Sequence, residues 1–167
     1  MKKLLNKGII SGAVALLALA GGAAHAATAT ANFQVTATVN ASCTLSVTPM
    51  AFGALTPAAS GDATATAKIT ATCSNGSGYT LSLNKGSGDS ITDRSMAGTA
   101  GNTDKLKYNI YREAGASTVF GDGTSGQTIA KTGNGVAQDE TVYGKLALNQ
   151  YIKADSYSDN LTVTLSY

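Results

Sequence analysis

Residues 63–73 read Ala-Thr-Ala-Thr-Ala-Lys-Ile-Thr-Ala-Thr-Cys, with a small or apolar side chain at every second position. Only a β-strand gives such a run one buried face, because successive Cβ atoms point to opposite sides of a strand. The pattern puts Ala67, Ile69, Ala71 and Cys73 together. The same period recurs over residues 33–39, at Leu45 and Val47, and over 79–83, 106–110, 142–148 and 161–167. Segments rich in Gly, Asn, Asp and Ser separate these runs, at 57–62, 74–78, 85–89, 98–104, 121–126 and 132–139. Glycine there supplies positive φ, and Asn or Asp caps its own backbone. Residues 90–97 read as an exposed loop or a short edge strand. The spacing predicts an all-β domain, either a β-sandwich or a small barrel.

The N-terminus has a different character. Lys2, Lys3 and Lys7 precede an apolar stretch over 9–20, and Ala24-His25-Ala26 follows as a small-x-small cleavage pattern. This is the layout of an export signal over residues 1–26, with the mature chain beginning at Ala27. The apolar stretch is short for a membrane span. No Cys follows the cleavage pattern, which argues against a lipid anchor. Of 167 residues, 141 then remain, a length that suits one domain.

The leader changes the charge balance. The full chain has 12 basic and 10 acidic residues, but three of the basic ones lie in the leader, leaving nine against ten. A net charge of −1 does not suit a nucleic-acid binder or a membrane-surface polycation. The only histidine, His25, is also in the leader. That excludes His-based acid–base catalysis, the Ser and Cys triads, and zinc sites that need His. Cys43 and Cys73 cannot complete a four-Cys metal site. In an oxidising compartment they are expected to form a disulfide closing about 30 residues; two buried thiols are the alternative.

Other groups that could carry chemistry are sparse. Asp139-Glu140, the only adjacent acid pair, falls in a predicted loop and reads as solvated surface. Residues 121–126 resemble a calcium loop only in composition, and one Asp does not supply six to eight oxygen ligands. Arg94 and Arg112 are expected to be salt-bridged or solvated. Three sequons, at Asn40, Asn75 and Asn160, match a glycosylation pattern that is weak alone. The aromatic residues, among them Phe52, Tyr79, Tyr108 and Phe120, are expected to pack the core or cover a sheet face. No catalytic residue, cofactor or metal site is proposed, and an enzyme is not expected.

Several pieces in order, through nearly all of the mature chain, together resemble one family. They are Phe33-Gln-Val-Thr-Ala-Thr-Val-Asn-Ala-Ser-Cys43, Phe52-Gly53, Ile69-Thr-Ala-Thr-Cys73, Tyr79 with Leu81, Arg94-Ser-Met96, Leu106-Lys-Tyr-Asn-Ile-Tyr-Arg112, Val142-Tyr-Gly144 and Tyr157-Ser-Asp-Asn-Leu-Thr-Val-Thr-Leu-Ser-Tyr167. The chain is similar to spore coat protein U domain proteins, the group that includes the major pilins of archaic chaperone–usher pili. The resemblance implies an incomplete immunoglobulin-like β-sandwich that lacks its last strand and is completed by donor-strand exchange. It implies as partners further copies of the chain joined head to tail, a periplasmic chaperone, an outer-membrane usher and other pilus subunits. It places the protein in the periplasm in transit and then in a surface fibre serving adhesion or biofilm formation.

On that reading residues 27–39 are an N-terminal extension or donor strand, and 40–167 are the sandwich. Phe33, Val35, Ala37 and Val39 share one parity and are the expected donor anchors, Phe33 and Val35 burying the most apolar area. Leu161, Val163, Leu165 and Tyr167 would line the groove and form the chaperone-docking strand. The same residues 33–39 also read as a first internal strand. In that case the protein is a secreted, self-completed coat protein or small binding module.

Overall fold

The computed structural model describes residues 26–167, so the predicted leader, apart from Ala26, lies outside the described residues. The chain falls into two units, Met1–Ala37 and Thr38–Tyr167. In the first, residues 26–37 form neither helix nor strand, and their side chains are exposed.

The second unit holds eight strands: β1 (Cys43–Val47), β2 (Asp62–Cys73), β3 (Gly78–Leu83), β4 (Arg94–Ala97), β5 (Lys105–Tyr111), β6 (Ile129–Thr132), β7 (Ala137–Ala147) and β8 (Val163–Ser166). They form a five-stranded sheet in the order β1-β2-β7-β5-β4 and a three-stranded sheet in the order β6-β3-β8. All ladders are antiparallel. The longest joins β2 to β7 in unbroken register from Asp62↔Ala147 to Thr72↔Ala137. The fold is an open, incomplete sandwich.

The alternation in β2 does what its period demands. Ala67, Ile69, Ala71 and Cys73 are buried, and the Thr and Lys between them face outward. The opposite wall is Tyr79, Leu81 and Leu83 of β3, with Ile129 of β6 beside them. A tight turn closed by Ser77 N donating to Ser74 O at 3.1 Å carries the chain from one sheet to the other. Gly76 sits in this turn at φ +79°, a backbone region that disfavours a side chain.

Two expectations change, and the open one over residues 90–97 is decided. Asp139 and Glu140 are not in a loop: β7 begins at Ala137, and their registers are Thr70 and Ile69. Both form ion pairs from there, Asp139 with Lys68 of the neighbouring β2 at 3.0 Å and Glu140 with Lys131 of β6, in the other sheet, at 2.8 Å. Residues 90–97 do include a short edge strand, β4, but its first two residues are buried. Arg94 is neither salt-bridged nor solvated; its exposure is 0%. Its Nε and Nη2 donate to Asn84 O at 3.0 and 2.8 Å. Nη2 also donates to Phe120 O at 2.8 Å, and Nη1 to Asn109 Oδ1 at 2.7 Å. A fork of donors surrounded by neutral acceptors satisfies a guanidinium without a carboxylate in contact. Burial still pushes its pKa below the ordinary arginine value, against the opposing pull of Tyr108 and Asp159.

Candidate functional site

Each sheet has one edge bordering a gap in the sandwich. β1 pairs only with β2, and β8 only with β3. The two edges come within 8 Å between Cα atoms at a few positions, yet they share no ladder. Cys43, Leu45 and Val47 of β1 lie opposite Cys73, Ala71 and Ile69 of β2. Those β2 side chains are each about 1% exposed, while Leu45 and Val47 are 36% and 47% exposed. Residues of the same face are therefore covered one strand in and uncovered at the edge. Such an apolar strip beside free backbone donors and acceptors has the form of a site for an added strand.

The gap continues as an open trough. A cavity of about 460 Å³ lies among Val47, Ala67, Leu83, Ile110, Val142 and Val163. A second, of about 660 Å³, shares Met50, Phe52, Met96 and Tyr157 with it and extends to Leu106, Leu146 and Leu148. The connection after β1 lays Met50 and Phe52 over the inner face of β7 at Gly144. A Cβ there would meet Met50 Sδ and would lie 2.8 Å from Phe52 Cζ. Phe52 in turn meets Tyr108 edge-on at 6.1 Å between ring centroids.

Polar groups stiffen the rim. Asp159 accepts from Tyr108 Oη at 2.7 Å and from Ser87 N at 2.8 Å. Burial, then the bond to Asp159, pushes the Tyr108 hydroxyl well above the ordinary tyrosine range. Asp155 accepts from Thr99 N, Thr99 Oγ1 and Asn102 Nδ2, which holds its carboxyl well below the usual range. The groups are used up in holding loops together and converge on no common point. Among the described residues no group of three or more His, Cys, Asp and Glu is placed to hold a metal ion.

Of the expected groove residues, Leu161, Val163 and Leu165 are half-buried along and just before β8, while Tyr167 lies past its end, 64% exposed. Of the expected donor anchors, Phe33, Val35 and Val39 are 86%, 81% and 89% exposed, and Ala37 is exposed too. Cys43 and Cys73 are bonded to each other, at the first register pair of β1 and β2. Sequence reasoning missed Met50, whose position in an irregular connection follows no period. It also missed Asn109, which tethers Arg94.

A family model for the Spore Coat Protein U domain matches residues 29–164. The chain belongs to that family. No curated protein matches it. Among solved structures, the domain resembles a chain of the CsuC–CsuE chaperone–tip adhesion subunit pre-assembly complex from archaic chaperone–usher Csu pili of Acinetobacter baumannii. The TM-score is 0.55 at 22% identity, over 78% of this chain and 40% of that one. A chaperone–tip adhesin complex of CFA/I fimbriae biogenesis gives a TM-score of 0.48 at 12% identity, over 73% of this chain and 41% of that one. This Spore Coat Protein U domain chain thus spans about two-fifths of the structures it matches. The likeness is one of fold.

Proposed function

We propose that the protein is a structural subunit of a chaperone–usher pilus or related surface fibre, polymerising by donor-strand exchange. The observation that carries this reading is the uncovered inner face between β1 and β8. A periplasmic chaperone fills the groove first, an outer-membrane usher receives the subunit, and residues 27–39 of another copy then replace the chaperone. The unpaired state and exposure of Phe33, Val35 and Val39 support their role as anchors. A strand inserted between two edges needs each about 4.7–4.9 Å away. Where β1 and β8 come within 8 Å, entry of the donor therefore parts them by at least about 1.5 Å.

Connectivity also favours one direction for the donor. Call the end of the sandwich at Cys43, Cys73 and Ser166 the disulfide end, and that at Val47, Leu83 and Val163 the far end. Residue 39 precedes Cys43 by four positions, so each donor leaves its own domain at the disulfide end. If the donor ran parallel to β8, both neighbours of a subunit would crowd its disulfide end. Run antiparallel to β8, it sets the far end of one subunit against the disulfide end of the next. That contact is heterologous and does not close, which gives a fibre.

The test is the size distribution of the exported protein on a denaturing gel without boiling. A ladder of subunit multiples that collapses on boiling is expected. A single monomer, stable without a chaperone, would overturn the proposal and favour a self-completed secreted module.

A further inference from the structure

We infer that the Cys43–Cys73 disulfide is a tension clamp, which passes pulling force from the donor strand into β2 as well as β1, so that β1 is not peeled away from its own sheet. The inference rests on the fibre reading for its biological setting, though its test does not need a fibre. In a head-to-tail fibre, the load on each subunit enters through its own donor segment, along the axis of β1. If the donor ends at Val39, only residues 40–42 separate it from Cys43. Ser42 is itself tied down: its N donates to Ser74 Oγ at 3.0 Å, and its carbonyl accepts from Ser74 N at 2.9 Å. Force therefore arrives within one residue of the disulfide.

Without the bond, that force falls on β1, which holds to β2 only from Cys43↔Cys73 to Val47↔Ile69. If β1 is lost and the connection after it also gives way, with its bonds from Thr48 N to Lys68 O and from Ala58 N to Leu148 O, residues 43–61 come free, roughly 65 Å of chain at about 3.5 Å per residue. Losing β1 would also remove one wall of the groove that holds the next subunit. With the bond, force crosses at the first register pair into β2, whose ladder with β7 is more than twice as long. A disulfide at any other pair of β1 would leave part of that strand exposed to the load.

Single-molecule force spectroscopy on the full chain tests this. One handle is placed ahead of Phe33 and the other at Lys153, between β7 and β8, so that β1 lies in the load path. In the oxidised protein β1 stays attached until the β2–β7 ladder yields. After phosphine reduction of the folded protein, an early event should appear that lengthens the tether by up to about 30 Å, which is roughly 65 Å of freed chain less the ~35 Å that already separates Cys43 from Asp62 along β2, at no more than half the oxidised rupture force, in line with the shorter ladder. The Cys43→Ala/Cys73→Ala variant should reproduce it. With the first handle moved to Asn75, in the turn after β2, the bond is out of the path and reduction should leave the rupture force unchanged. An unaltered trace in the first geometry, or an equal fall in both, overturns the clamp and leaves a general stabiliser. Failure of the fibre reading shows on the gel instead.

Discussion

Arg94 gives the sharpest prediction about the domain, because a buried guanidinium bonded only to neutral acceptors leaves a defined set of orphans when removed. Arg94→Met keeps most of the side-chain volume. It strips the donor from Asn84 O, Phe120 O and Asn109 Oδ1, though the last keeps Ile110 N at 2.8 Å. Each buried acceptor left without a charged donor costs about 1–3 kcal/mol. Relief of the cation's own burial returns part of that. The net expectation is a loss of about 3 kcal/mol, or roughly a 2 M fall in the urea midpoint at a slope of ~1.5 kcal/mol/M. Arg94→Lys keeps the charge but not the planar fork, and should recover less than half of the loss. Asn109→Ala also strips Thr92 O of its donor, and should cost less when combined with Arg94→Met than alone, because the two share the 2.7 Å bond. A midpoint shift under about 0.5 M for Arg94→Met would falsify the argument, showing that the carbonyls find water once the arginine is gone.

Phe33→Asp should leave the chaperone-held subunit intact while shortening the gel ladder, since a carboxylate would have to enter an apolar trough at a cost of several kcal/mol; an unchanged ladder removes Phe33 from the anchors. Cys43→Ser should lower unfolding stability by about 3–4 kcal/mol on the loop-closure argument and reduce subunit abundance in the periplasm, and wild-type levels under oxidising growth would contradict it. Gly144→Val should displace Met50 and Phe52 from the inner face of β7 and cost about 1–3 kcal/mol in a urea titration, whereas a neutral result would mean that the connection over β7 is free to lift away. The folded pKa values of Asp155, Glu113, Asp122 and Asp139 lie below their ordinary values, so their stabilisation is present above the ordinary carboxylate range and is lost as pH falls through the folded values. Asp155→Asn should flatten that acid limb of a stability–pH curve. Lys131 and Lys145 are raised by Glu140 and Asp62, so their share is present below the ordinary lysine range and is lost as pH rises through the folded values.

Period-two alternation was enough to find β2, β3, β5, β7 and β8, because each has an inward face whose side chains alternate with outward ones over several residues. It gave no sign of β6, where only Ile129 of four residues is buried. It left β4 undecided, since four residues cannot display a period. Asp139 and Glu140 look like loop residues by type, and only the long ladder with β2, opposite Thr70 and Ile69, makes them strand residues. Arg94 misled for a related reason: a cation reads as surface until three separate segments bring carbonyls around it.

The sequence by itself determined the strand-rich class and the candidate cysteine pair, since each follows from residue identity and short-range spacing. Tertiary structure decided which strands became edges. Leu45 and Val47 alternate as faithfully as Ile69 and Ala71, yet one pair is left uncovered and the other is buried. Alternation records which way a side chain points along its own strand. Whether anything lies over that face depends on how distant strands are ordered, and here that order leaves β1 and β8 flanking an open trough.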